Sequence, residues 1–314
     1  MLSPAELKDL RRFVRRGLLF CVPFVLYAAF IVAVDPFEYF DVSHLVDSHY
    51  KQLTAAKLHY PLWRTIHFRR DPKPNIVLGD SRMDQMKAPD IEAVSGEPWF
   101  NFAYGGGTVP ELVETFWFAT RTTKLERVTI GLSLVNMNAF QNKDRFPESQ
   151  SMLANPLLYA INRVVLRAAV LGARSQLTGQ EFRPEQPNMD RETFWRFQLG
   201  EAIATHYGRY RYSEEYLDKL REIARHCAEN GIELTFVIPP TNVENQAKVA
   251  EFGLTETAAT FDRDIHALGK VIDFDFPNDF TRDRDNFADP VHLRDGKMLA
   301  EAIWGTPPVP DMRR

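Results

Sequence analysis

Asn75-Ile76-Val77-Leu78-Gly79-Asp80-Ser81 is the stretch that decides the fold of this chain. Residues 75–79 read as a short buried strand entering a turn, and a short helix is expected from Ser81 onward, ending before Pro89 because a proline disfavours helical geometry in the residue ahead of it. Downstream the same alternation repeats. Residues 98–102 (PWFNF) read as a strand, Gly105-Gly106-Gly107 as a loop, and Val109–Arg121 as a helix with Pro110 at its first position. Arg127–Asn136 is a long apolar strand of the kind buried on both faces of a parallel sheet. Ser213–Asn230 is an amphipathic helix, capped by Ser213 and stopped by Gly231. Glu233–Ile238, Thr255–Leu268, Val271–Phe274 and Asp295–Trp304 complete the series as strand, helix, strand and helix. Such β-α alternation predicts an α/β domain, a parallel sheet covered by helices on both faces.

Upstream, Gly17–Val34 (GLLFCVPFVLYAAFIVAV) carries no charge. As a helix it reaches roughly 27 Å at about 1.5 Å per residue, close to the thickness of a bilayer core. Arg11, Arg12, Arg15 and Arg16 precede it, and Asp35, Glu38 and Asp41 follow it. The expected division is therefore a basic cytoplasmic segment at 1–16, a transmembrane helix at 17–34, a connecting region at 35–74 and the α/β domain at 75–314. That topology places the domain on the periplasmic or extracellular side of the cytoplasmic membrane. Residues 140–210, rich in Arg, Gln, Asn and aromatics, are expected to form an insertion over one end of the sheet.

Composition narrows the function. The chain has 314 residues, 45% hydrophobic and 25% charged, which is ordinary globular usage. A formal charge of −4 argues against nucleic acid as partner. Cys21 sits in the apolar stretch and Cys227 in a helix, so no disulfide or structural zinc site is expected, and no metal or cofactor motif is present.

Ser81 stands at the carboxyl end of a strand, where open α/β sheets bind ligands. A serine hydroxyl needs an adjacent base to become a nucleophile. Asp289-Pro290-Val291-His292 supplies one: His292 as base, with Asp289 three residues earlier to hold its ring. Such triads are recognised by geometry and role, not by order along the chain. The chemistry expected is acyl transfer, to water or to another hydroxyl. Trp99, Phe100, Trp117, Trp195 and Trp304 are candidates for stacking on sugar rings, with core packing expected for the first three. Arg82, directly after the serine, is expected to be exposed.

Gly79-Asp80-Ser81, Asn101-Phe102-Ala103-Tyr104-Gly105-Gly106-Gly107-Thr108, an asparagine after the third strand and Asp289-x-x-His292 occur in the order found in the SGNH (GDSL-type) hydrolases, and residues 75–304 resemble that family. The resemblance implies a three-layer α/β/α, flavodoxin-like fold. It implies Ser81 as nucleophile, His292 as base, Asp289 as orienting carboxylate, and an oxyanion hole from the Ser81 and Gly106 backbone N–H groups and an asparagine side chain. The third block departs from the family's Gly-x-Asn-Asp: the chain has Leu134-Val135-Asn136-Met137-Asn138, where Asn136 fits the spacing best and Asn138 is the alternative. One N-terminal membrane helix ahead of such a domain resembles the sub-group that includes the alginate O-acetylation proteins and the D-alanyl transfer proteins of teichoic acid. That likeness implies an esterase or O-acyltransferase acting on acyl, chiefly acetyl, esters of an exported polysaccharide beside a membrane-bound O-acyltransferase, without cofactor or metal. The alternatives are a periplasmic lipid or thioester hydrolase and a non-catalytic partner with the same fold.

Overall fold

The structure is a computed structural model that describes residues 4–181 and 189–305. Residues 182–188 of the expected insertion, and the ends of the chain, lie outside the described residues. The chain forms two compact units, Met1–Ile66 with Glu148–Gln186, and His67–Pro147 with Pro187–Arg314. This division differs from a linker at 35–74 and a single insertion at 140–210. Residues 148–181 fold with the N-terminal segment because aromatic faces meet there: the Tyr159 ring stacks on Tyr39 at 4.4 Å between centroids. The Tyr39 hydroxyl also donates to the Leu153 carbonyl at 3.1 Å.

In the first unit one helix runs from Pro4 to Val34. It starts well before Gly17, since Leu, Glu, Lys and Arg are all good helix formers. The span Glu6–Val34 has an 18-residue window of mean hydropathy 2.5, and 11% of that window is buried. The helix is thus long and apolar enough to cross a membrane. Past its end, the Asp35 carboxylate accepts the N–H groups of Tyr39, Phe40 and Asp41 at 2.7–3.1 Å, which folds the chain back on itself. Helices Pro156–Ile161 and Arg163–Thr178 also belong to this unit, capped by Asn155 and Asn162.

The second unit holds a five-stranded sheet: β1 Asn75–Leu78, β2 Trp99–Asn101, β3 Arg127–Gly131, β4 Glu233–Ile238 and β5 Lys270–Asp273. All pairs are parallel, in the order β2-β1-β3-β4-β5. Ile76 lies between Phe100 and Val128, and Phe236 between Ile130 and Val271. Every residue of β1 is buried, as a strand covered on both faces must be. Helices Val109–Thr122 and Glu214–Asn230 are the long covering elements; the second begins at Ser213 and ends at left-handed Gly231, as the sequence predicts.

Three local expectations are corrected. β3 ends at Gly131, and Leu134–Met137 is a single 3-10 turn because Ser133 and Asn136 close a reciprocal cap. The helix after Gly79-Asp80 stops at Asp84, and Pro89 opens the following helix, Ala88–Ser95, where its missing N–H costs nothing. Trp195 does not present a face to solvent: it is 1% exposed, beneath the Arg284 guanidinium at 4.7 Å from the ring centroid.

Candidate active site

The strand order reverses direction between β1 and β3, and ligands of doubly wound sheets bind at that switch point, beyond the strand ends. Ser81 follows β1 there, and Ser133 and Asn136 follow β3. Asp80 caps the short Ser81–Asp84 helix by accepting the Arg82 N–H at 3.0 Å. Its cap leaves the Ser81 side chain beside His292.

Ser81 Oγ lies 2.7 Å from His292 Nε2. On the other side of the ring, His292 Nδ1 lies 2.8 Å from Asp289 Oδ2. Asp289 Oδ1 also accepts the N–H groups of Val291 and His292, at 2.8 and 3.1 Å, so the turn itself fixes the carboxylate. Burial opposes its ionisation, but the hydrogen bond and charge of His292 and these backbone donors outweigh it and lower its pKa. The turn is tied to the serine's own segment by Gln85, whose amide donates to the Leu293 carbonyl at 2.9 Å. Residues 211 positions apart are in this way brought to hydrogen-bonding distance.

Gly106 lines the same cavity as Ser81 and His292. Its φ of +68° is the left-handed region, which suits glycine. Neither its backbone N–H nor that of Ser81 has a hydrogen-bond acceptor within the described residues. Thr108 and Arg145 brace this loop. The Thr108 hydroxyl donates to the Lys143 carbonyl at 2.5 Å, and Arg145 grips the fully buried Glu111 through Nε and Nη2 at 2.6 and 2.9 Å.

The two asparagines are separated by the fold. Asn136 lines the cavity; its Oδ1 accepts from the Ser133 N–H at 2.8 Å and its Nδ2 donates to Asp80 Oδ2 at 3.2 Å. Asn138 is 0% exposed and spends its side chain elsewhere. It donates to the carbonyls of His206 and Arg209 and accepts from the N–H groups of Phe140 and Arg211.

Arg82 contradicts the expectation of an exposed residue: it is 7% exposed. Its Nε donates to Asp80 Oδ1 at 3.1 Å, while Nη2 reaches Asp80 Oδ2, Ser133 Oγ at 2.7 Å and Asn136 Oδ1 at 3.2 Å. Burial alone would raise the Asp80 pKa; the Arg82 charge and hydrogen bonds overcome it and hold the carboxyl down to about 2. This ionic core fixes the cap beneath Ser81 and the turn carrying Asn136 as one piece.

The cavity over these groups has a volume of about 890 Å³. That is within the ~300–1,000 Å³ of small-molecule sites. Its lining also includes Ile238, Thr241, Val243, Gln246, Ala259 and Asp275. Asp275 was missed by sequence reasoning, although its place two residues past β5, at a strand's carboxyl end, is a signal that points to it. His206 also lines the cavity; burial first, and then the nearby Arg82 charge, lower its pKa. None of Trp99, Phe100, Trp117, Trp195 and Trp304 does. Among the described residues no group of three or more His, Cys, Asp or Glu side chains is arranged to hold a metal ion.

No protein-family model matches the chain, and no curated protein does. Among solved structures, it is similar to a Streptococcus pneumoniae protein provisionally described as a platelet activating factor, with a TM-score of 0.40 and 10% identity over 80% of this chain and 94% of the other. It is also similar to a Bacteroides fragilis protein provisionally described as an acylhydrolase, with a TM-score of 0.41 and 11% identity over 80% of this chain and 93% of the other.

Proposed function

We propose that this chain is a membrane-anchored serine esterase or O-acyltransferase of the SGNH type, acting on acyl esters of a cell-surface or exported polysaccharide. The reading rests on the relay from Ser81 Oγ through His292 to Asp289, at 2.7 and 2.8 Å. In it, His292 Nε2 takes the Ser81 proton as Oγ attacks the ester carbonyl. The oxygen that becomes negative is met by the Ser81 and Gly106 N–H groups and the Asn136 amide, which need no reorganisation at that moment. The alkoxide leaves with the proton from His292, and the acyl-Ser81 intermediate passes to water or to a second hydroxyl. The N-terminal helix holds the domain at the outer face of the cytoplasmic membrane, near exported glycan and beside a membrane-bound O-acyltransferase that supplies acyl groups. Val243, Val249, Ala258, Ala259 and Phe261 give the cavity an apolar wall, which favours a lipid or thioester hydrolase as second reading.

The test is p-nitrophenyl acetate turnover by the full-length protein in detergent micelles, beside Ser81→Ala. Loss of the nucleophile is expected to lower kcat by at least ~10³-fold. Equal rates from two folded proteins would rule out Ser81 as nucleophile and favour the non-catalytic partner.

A further inference from the structure

Arg82 and Asp275 line the cavity from different segments, and each keeps one polar atom unengaged. Arg82 uses Nε and Nη2 on Asp80, Ser133 and Asn136, and Nη1 makes no hydrogen bond among the described residues. Asp275 Oδ1 accepts from the Thr241 N–H and hydroxyl and from Gln246 Nε2, at 2.9, 2.7 and 3.0 Å, whereas Oδ2 accepts nothing. The two opposite charges feel one another, yet they form no ion pair. Their supports hold them apart: the Asp80 network on one side, Thr241 and Gln246 on the other. A rigid donor and a rigid acceptor facing one cavity suit a ligand whose groups both accept and donate, and a hydroxyl does both.

We propose that Arg82 and Asp275 form a clamp for hydroxyl groups on the alcohol portion of the ester, so that the substrate is the ester of a polyhydroxylated, sugar-like alcohol. This rests on the serine-esterase reading for its position, and deepens it. A site built to bond hydroxyls discriminates strongly against an analogue that lacks them, because its own buried groups then lose their partners.

The test compares methyl 6-O-acetylhexopyranosides of gluco, galacto and manno configuration with cyclohexylmethyl acetate, an ester of the same ring size without hydroxyls. The wild type is expected to prefer at least one sugar ester, and Asp275→Asn and Arg82→Lys to lower that preference in kcat/KM by roughly 10-fold or more. Preference for the cyclohexyl ester, or a ratio unchanged in Asp275→Asn, overturns the clamp. If the wild type cleaves none of the esters, the esterase reading fails separately, and the clamp is judged by titrating Ser81→Ala with the methyl glycosides. Binding that weakens on adding Asp275→Asn upholds it; no binding, or binding indifferent to that change, overturns it.

A separate observation concerns the first unit. Tyr27 lies within the apolar helix, roughly 10 Å from Val34 at ~1.5 Å per residue, and its hydroxyl donates to the Ala160 carbonyl at 2.6 Å. That bond sets the Pro156–Ile161 helix beside the outer part of the membrane span. Its Leu157, Leu158 and Ile161 are 65%, 44% and 59% exposed, and Tyr159 alone turns inward. The next helix continues the same theme. Arg163, Leu166, Arg167, Val170, Arg174 and Leu177 are exposed at helical spacing on one side. Leucines with interleaved arginines match an interfacial helix, whose apolar groups enter the acyl boundary while the guanidinium groups reach lipid phosphates.

We infer that residues 156–178 lie on the lipid surface beside the anchor. A fluorophore that reports polarity is attached at Leu158→Cys or Ile161→Cys in the full chain, with Cys21 and Cys227 replaced by Ser, in vesicles carrying doxyl-labelled lipid. Emission and quenching close to those of the same label at Phe24→Cys are expected. Water-like emission without quenching at 158 and 161 overturns the inference, as does a Phe24 label that is itself unquenched.

Discussion

Gly131 and Met83 offer a quantitative test of how Ser81 is seated. Gly131 ends β3, and Met83 stands two residues past Ser81. A methyl group added at Gly131 would overlap Met83 Cγ and stand 2.5 Å from its Sδ and 3.1 Å from its Cε. Met83 is 0% exposed within the cluster that includes Val77, Trp99 and Ala103, so it has nowhere to retreat. Overpacking of this kind costs ~1–3 kcal/mol. Met83→Ala costs ~2–5 kcal/mol through the cavity it leaves. If the sites were independent, the double variant would lose the sum. Met83→Ala removes all three atoms that the new methyl meets, so the pair is expected to recover ~1–3 kcal/mol of that sum. For a body of this size ~1 kcal/mol moves Tm by roughly 2–4 °C. Thermal unfolding followed by near-UV circular dichroism, on the wild type, both single variants and the double, reads the coupling. A Gly131→Ala protein with wild-type Tm, or a double variant that loses the full sum, would refute the reasoning.

Two further changes probe the site. Asn136→Ala is expected to lower kcat on p-nitrophenyl acetate by roughly 10²-fold or more, as loss of an oxyanion donor does. Asn138→Ala strands four backbone groups and is expected to lower Tm by the equivalent of ~1–3 kcal/mol with a smaller loss of rate; the opposite pattern would exchange the two roles. The Asp80 pKa is depressed to about 2, so its contribution is present above the ordinary carboxylate range and is lost as pH falls toward that value. From 3.8 to about 2 this amounts to about 2 kcal/mol, and unfolding midpoints taken between pH 5 and 2.5 should fall less steeply for Asp80→Asn than for the wild type.

Local pattern alone determined much of this protein. The five strands, the Ser213 cap and the Gly231 stop are short-range consequences of burial periodicity and capping chemistry, so they are legible in the string. The apolar span after four arginines is legible for the same reason. The sequence also marked Ser81, His292 and Asp289 as candidates, through their residue types and their places at the ends of elements. What it could not express is contact between segments far apart. Arg82 looks like an exposed first-turn arginine until Ser133 and Asn136 arrive from β3 to bury it. Asn136 and Asn138 are two residues apart and chemically identical; only the turn at Leu134–Met137 sends one to the cavity and the other to the backbone of residues 206–211. Asp275 has no motif, and becomes part of the cavity because β5 ends beside Thr241 and Gln246. Residues 148–181 read as part of one insertion, yet aromatic packing of Tyr159 against Tyr39 joins them to the segment that follows the N-terminal helix. Periodicity is written locally, whereas burial and charge pairing depend on which distant surfaces meet, and only the folded chain decides that.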